Sequence, residues 1–184
     1  MNVTVIGLDH NTQARDPTGD LKRTLADLVA KHGPGLIAEE ANTSESTVAL
    51  SMGGLNMDMS TTERTAAGIQ DELLNRPWQF IAQGDCVVGE VRDYLRNADA
   101  VREAHWVAFI LNQRVSSAIV LCGLLHLQPL ALKLRERECQ VEEVNLCECN
   151  WYKAQVGSVN IFEKDGRRWA EFRYPSGQDR KIYG

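Results

Sequence analysis

Two strand-like apolar runs, "VTVIGLDH" from Val3 and "AIVLCGLLH" from Ala118, each pass through a glycine and reach a histidine three residues later, with helix-type sequence beyond. A strand that feeds a helix and returns to a strand almost always crosses over right-handed and lays the two strands parallel. Residues 3–9, the helical stretch "LKRTLADLVAKHG" after Asp20 and the short strand "GLIAEEAN" form one such β-α-β unit. "SSAIVLCG", "LQPLALKLRER" and "CQVEEVNL" form another. The predicted fold is therefore α/β, with a largely parallel central sheet flanked by helices.

Between these units, residues 42–61 suggest a short helix, a Gly53-Gly54 turn and the small strand "LNMDM", and Thr61 opens the capped helix "TERTAAGIQDELL". Two helical segments, "VVGEVRDYLRN" and "DAVREAHWVAFILNQR", fill residues 87–114, the second with Val101, Trp106, Phe109 and Ile110 on one apolar face. The tail "SVNIFEKDGRRWAEFRY" alternates in two arms, which predicts a C-terminal antiparallel β-hairpin turning at Asp165-Gly166. The expected organisation is a single domain over residues 1–184, with a core at about 3–146 and the hairpin at about 157–175.

A net charge of −5 and scattered Lys and Arg argue against nucleic acid as the main partner. No apolar run approaches the ~20 residues of a membrane helix and no leader is visible, so a cytoplasmic protein without a membrane partner is expected. Five cysteines, an odd number, fit free thiols in a reducing compartment. "CEC" at 147–149 would put two thiols on one face of a strand, either as small core residues or as the start of a soft-metal site.

In open parallel sheets ligands bind at the carboxyl ends of the strands, where loops converge. His10 and His126 both fall at such an end, each just past a glycine able to turn the chain sharply. "LIAEEA" brings Glu39 and Glu40 to a third strand end. Neighbouring strand residues point to opposite faces, so one of the two enters the site, and Glu40, nearer the end, is the first choice. Two imidazoles and a carboxylate suit a divalent metal with open positions for water and substrate, so His10, Glu40 and His126 are candidate metal ligands and candidate catalytic groups. A helix cap or a satisfied core position is the competing explanation for each histidine. His32, beside Gly33, suits a helix C-terminus, and His105 and Trp106 read as structural. Glu63 and Arg64, like Arg102 and Glu103, are either solvated pairs on a helix face or substrate contacts, with Arg64 and Arg102 fitted to a carboxylate or phosphate.

Taken in order, "GLDH", "IAEE", "ERTAAGI", "REAHW" and "VLCGLLHLQPLALKLRERECQVEEV" resemble a group of small bacterial proteins over residues 3–145. That group is in turn similar, more distantly, to the superfamily of the TraB and TIKI proteins, the erythromycin-esterase-like hydrolases and the ChaN-type haem-binding proteins. The resemblance implies an α/β core with both G-x-x-H motifs and an acidic residue around one pocket, and metal-dependent hydrolysis in some branches. It assigns His10, Glu40 and His126 to the pocket and matches Arg102 to a basic residue. The Met52–Met59 stretch and the C-terminal hairpin depart from the pattern, so no substrate carries over. The expected function is a metal-dependent or His/Glu-dependent hydrolase acting on a small substrate. The alternative is a non-catalytic module that binds a small ligand or anion in the same strand-edge pocket.

Overall fold

The computed structural model describes residues 1–16, 18–41, 47–70, 89–155, 157–164, 167–173 and 180–183. By compactness it divides into two units, Met1–Asp58 with Glu103–Leu146, and Met59–Arg102 with Cys147–Gly184.

The first unit holds a five-stranded sheet. Its strands are β1 (Asn2–Leu8), β2 (Leu36–Glu39), β3 (Leu55–Asn56), β4 (Ser117–Gly123) and β5 (Gln140–Asn145). They lie in the order β3-β2-β4-β1-β5, and every neighbouring pair is parallel, as expected of an α/β protein. β1 and β4 pair along their whole length, from Asn2 opposite Ser117 to Leu8 opposite Gly123. Both are buried almost throughout, the pattern of strands covered on two faces, whereas β5 at the sheet edge is polar and largely accessible. From β1 the chain moves to β2 on one side, and from β4 it moves to β5 on the other. This reversal places a topological switch point, where ligands of open α/β sheets bind, at the β1–β4 pair.

Helices α1 (His10–Ala14) and α2 (Asp20–His32) link β1 to β2. α2 ends at Gly33 with φ 53°, and His32 occupies its last turn as expected. A four-residue helix α3 (Val48–Ser51) precedes β3. In the second unit the Ser60 hydroxyl and the Glu63 carboxylate close a reciprocal cap at the start of α4 (Thr61–Ala66). The two segments expected within residues 87–114 are instead one continuous helix, α5 (Gly89–Asn112). Asn97 and Asp99 are weak helix formers, but without Gly or Pro nothing breaks the hydrogen-bond ladder between them. On α5 Val101 is exposed, and the buried residues among those described are Ala98, Arg102, Glu103, Trp106, Val107 and Ile110, so the inward face runs through Glu103. Among the described residues no helix is long and apolar enough to cross a membrane.

After β4 a single 3-10 turn (Leu124–His126) leads into α6 (Leu127–Arg135) and back to β5. Residues 147–149 do not continue β5. They lie in and just after a 3-10 turn (Leu146–Glu148) that precedes α7 (Asn150–Gln155), so the expected strand face with two thiols is not formed. Cys147 is buried and Cys149 partly so; with Cys122 and Cys139 they are free thiols, and Cys86 lies outside the described residues. At the C-terminus β6 (Ser158–Lys164) and β7 (Arg167–Arg173) pair antiparallel, as expected, and β8 (Arg180–Tyr183) adds a third strand that the sequence pattern did not announce. The expected Asp165-Gly166 turn lies outside the described residues.

Gly7 shows how tightly the sheet centre is covered. A Cβ there would stand 3.0 Å from Leu127 Cβ and 3.1 Å from Leu124 Cδ1. The first of these atoms cannot move without shifting α6. Gly7→Ala is expected to destabilise the fold by ~1–3 kcal/mol through overpacking, after any gain from a stiffer unfolded chain. A urea midpoint equal to that of the wild type would show that α6 yields without strain.

Candidate functional site

The carboxyl ends of three adjacent strands, β2, β4 and β1, carry Glu40, the Gly123–His126 turn and His10 in that order across the sheet. Glu40 directly follows β2, and its N–H extends the ladder to the Leu121 carbonyl at 2.9 Å. The Glu40 side chain is 2% exposed. Its Oε2 accepts the Gly123 N–H at 2.8 Å, so the backbone of one strand orients a carboxylate from the next.

The other oxygen, Oε1, lies 3.9 Å from His10 Nε2 and 3.8 Å from His126 Nε2. These separations exceed a direct hydrogen bond and suit groups that share something placed among them. Ligands about 2.1 Å from a tetrahedral ion are ~3.4 Å apart, a little less than the two nitrogen–oxygen separations here. Among the described residues no group of three or more His, Cys, Asp or Glu side chains is placed to hold a metal ion as it stands.

Each imidazole is also held at its far nitrogen. Asp9 takes the Thr12 N–H at 3.1 Å and the Thr12 hydroxyl at 2.6 Å, which ties down the first turn of α1. His10 Nδ1 then lies 2.6 Å from Gln13 Oε1. His126 Nδ1 lies 2.9 Å from Glu103 Oε1, and Glu103 Oε2 accepts from Lys133 Nζ at 2.7 Å. Burial alone would raise the Glu103 carboxyl, but the hydrogen bond and charge of His126, and then Lys133, outweigh it and hold the group below its ordinary value. An ionised Glu103 only accepts, so the proton sits on His126 Nδ1, and in the neutral ring the Nε2 lone pair faces Glu40. With the Gln13 carbonyl toward His10, the same holds there. His126 is 11% exposed at its side chain and His10 54%, so the site has a buried wall and an open one.

Glu39 takes no part in this convergence. It is fully buried, and the Thr47 hydroxyl donates to its Oε2. Burial pushes its carboxyl up to about 7 against the Thr47 hydrogen bond. The expected contacts to substrate lie in the second unit. Arg64 is buried and donates to the Met59 carbonyl, the Glu63 carboxylate accepts from the Ser60 N–H at 2.8 Å, and Arg102 Nη1 stands 3.7 Å from Asp99. Gln13, Lys133 and the role of Glu103 were missed by sequence reasoning. For Glu103 a signal existed, since it stands three residues before Trp106 and seven before Ile110, on the buried face of α5.

The chain matches no family model, no curated protein and no solved structure.

Two predictions follow from this geometry. A Cβ at Gly123 would meet His10 Nε2 at 3.0 Å and Glu40 Oε2 at 3.4 Å. His10 can swing toward solvent, so Gly123→Ala should melt near the wild type while the His10–Glu40 separation lengthens in a crystal structure. A separation unchanged from the wild type would show that Gly123 is not needed for the close approach. Glu39, whose folded carboxyl titrates near 7 against an ordinary 4.5, binds its proton more tightly when folded. Its contribution to stability is complete below pH 4.5 and is lost as pH rises toward 7. Glu39→Gln should flatten the fall in urea midpoint over that range, and an unaltered slope would assign the fall to other groups.

Proposed function

We propose that the protein is a hydrolase of small substrates whose water-activating centre is a divalent-cation site formed by His10, Glu40 and His126. One observation carries the reading: both Nε2 atoms approach the same oxygen of a buried carboxylate, at 3.9 and 3.8 Å, at the switch point of a parallel sheet. Imidazole and carboxylate together suit first-row transition ions, zinc among them. His10, Glu40 and His126 would hold such a cation, which would supply Lewis-acid chemistry for activating water against an ester, amide or phosphoester near neutral pH.

The chain's own residues perform the rest. Glu40, tied to the Gly123 N–H, supplies negative charge through Oε1. Glu103 and Gln13 hold the imidazoles with their Nε2 atoms facing Glu40. The buried side at His126 keeps water from displacing the ring, and the accessible side at His10 is where a substrate enters. The G-x-x-H motifs resemble those of a group of small bacterial proteins, itself more distantly similar to the superfamily of the TraB, TIKI, erythromycin-esterase-like and ChaN-type proteins, and metal-dependent hydrolysis in some branches of it accords with the same reading.

The test is metal analysis of the purified protein, followed by an ester, amide and phosphoester screen of protein loaded with zinc, manganese or cobalt. His126→Ala should lower the detected activity by at least ~10²-fold, with unchanged circular dichroism. A wild type that takes up no stoichiometric metal and hydrolyses nothing in the screen would overturn the hydrolase reading in favour of a ligand-binding module.

A further inference from the structure

Glu103 and Trp106 are three residues apart on α5, which places both side chains on one helical face. Both reach His126. The Glu103 carboxylate bonds its Nδ1 at 2.9 Å, and the Trp106 ring meets the imidazole edge-to-face, with centroids 5.0 Å apart and planes at 83°. Each gripping group is fixed in turn. Lys133, from the same helix that His126 leads into, donates to the second Glu103 oxygen at 2.7 Å, and the Trp106 indole N–H donates to Asp58 Oδ1 at 3.1 Å. The Trp106 side chain is wholly buried and Glu103 nearly so, so neither can leave without opening the interior.

We infer that Glu103, Lys133 and Trp106 form a clamp that fixes the rotation and the tautomer of His126, as positioning residues with no contact to substrate. The carboxylate accepts the Nδ1–H hydrogen bond and so turns the Nε2 atom toward Glu40. Lys133 compensates the charge, so that Glu103 remains an acceptor for His126 and is not drawn to a cation as a fourth ligand. Trp106 blocks rotation about the Cβ–Cγ bond, which would exchange the two ring nitrogens for carbon positions. The clamp gains its functional meaning from the proposed cation site, but its structural claim concerns the ring alone.

The two parts are separable by experiment. Nitrogen NMR of the side chains, in metal-free protein at a pH above the imidazole titration, reads the tautomer directly. Wild-type His126 should be protonated at Nδ1 only, and Glu103→Gln should give a mixture or the reversed tautomer. Zinc affinity, measured by competition with a chelating dye, should fall ~10–100-fold in Glu103→Gln and by less in Lys133→Met. Should Glu103→Gln fail to fold, Lys133→Met decides through the same two readings, with a shifted Glu103–His126 proton signal and weaker zinc binding. A tautomer and a zinc affinity unchanged in the folded variants would overturn the clamp. If wild-type protein binds no zinc yet the tautomer shifts in Glu103→Gln, the clamp stands and zinc is ruled out as the ion of the proposed site.

Discussion

The parallel ladder between β1 and β4 is the interaction on which the rest of this structure depends. Its register sets Leu8 opposite Gly123, so the chain leaves both strands at the same level and both histidines emerge at one edge. Because side chains alternate along a strand, a slip of one residue would send the buried set of either strand to the wrong face. The histidines are therefore placed by core packing, far more than by any interaction they make themselves. β2 adds Glu40 through its own pairing with β4, which extends from Leu36 opposite Ala118 to Glu39 opposite Leu121.

The centre combines groups that attract when a ring is protonated and repel as facing lone pairs when both rings are neutral. One carboxylate oxygen and two imidazole nitrogens face a common space. A second carboxylate, Glu103, stands behind one ring. Its charge is balanced locally by Lys133, whose side chain keeps about a third of its exposure. The cluster is thus layered, with electron-pair donors innermost and compensating charge outward, and buried Trp106 against the innermost ring.

The sequence made the parallel sheet legible because strand-type and helix-type periods alternate and glycine marks the strand ends. His10, His126 and Glu40 could be singled out because each sits where an apolar run stops. Sequence cannot reveal which strands are neighbours, and the order β2-β4-β1 is what turns three separate strand ends into one edge. The contributions of Gln13, Glu103 and Lys133 were hidden for a different reason: charged or amide residues on helices usually face water, and only tertiary contact distinguishes one that does not. The single helix across Asn97–Asp99 was misread because propensity is a weak guide inside a long helix. The Cys147–Cys149 stretch was misread because a strand and a 3-10 turn share the same short apolar signature when no glycine separates them.

The tether between Glu40 and the Gly123 N–H has a consequence for ion choice. With one lone pair of Oε2 engaged by the backbone N–H at 2.8 Å, Glu40 is oriented with Oε1 toward the two imidazoles. Calcium is served best by six to eight oxygens, often with bidentate carboxylates, and a monodentate carboxylate flanked by two nitrogens provides neither. Smaller ions of lower coordination number, which accept nitrogen readily, match what this edge presents. A single backbone amide thus orients the carboxylate, and in the proposed cation site it would favour coordination through Oε1.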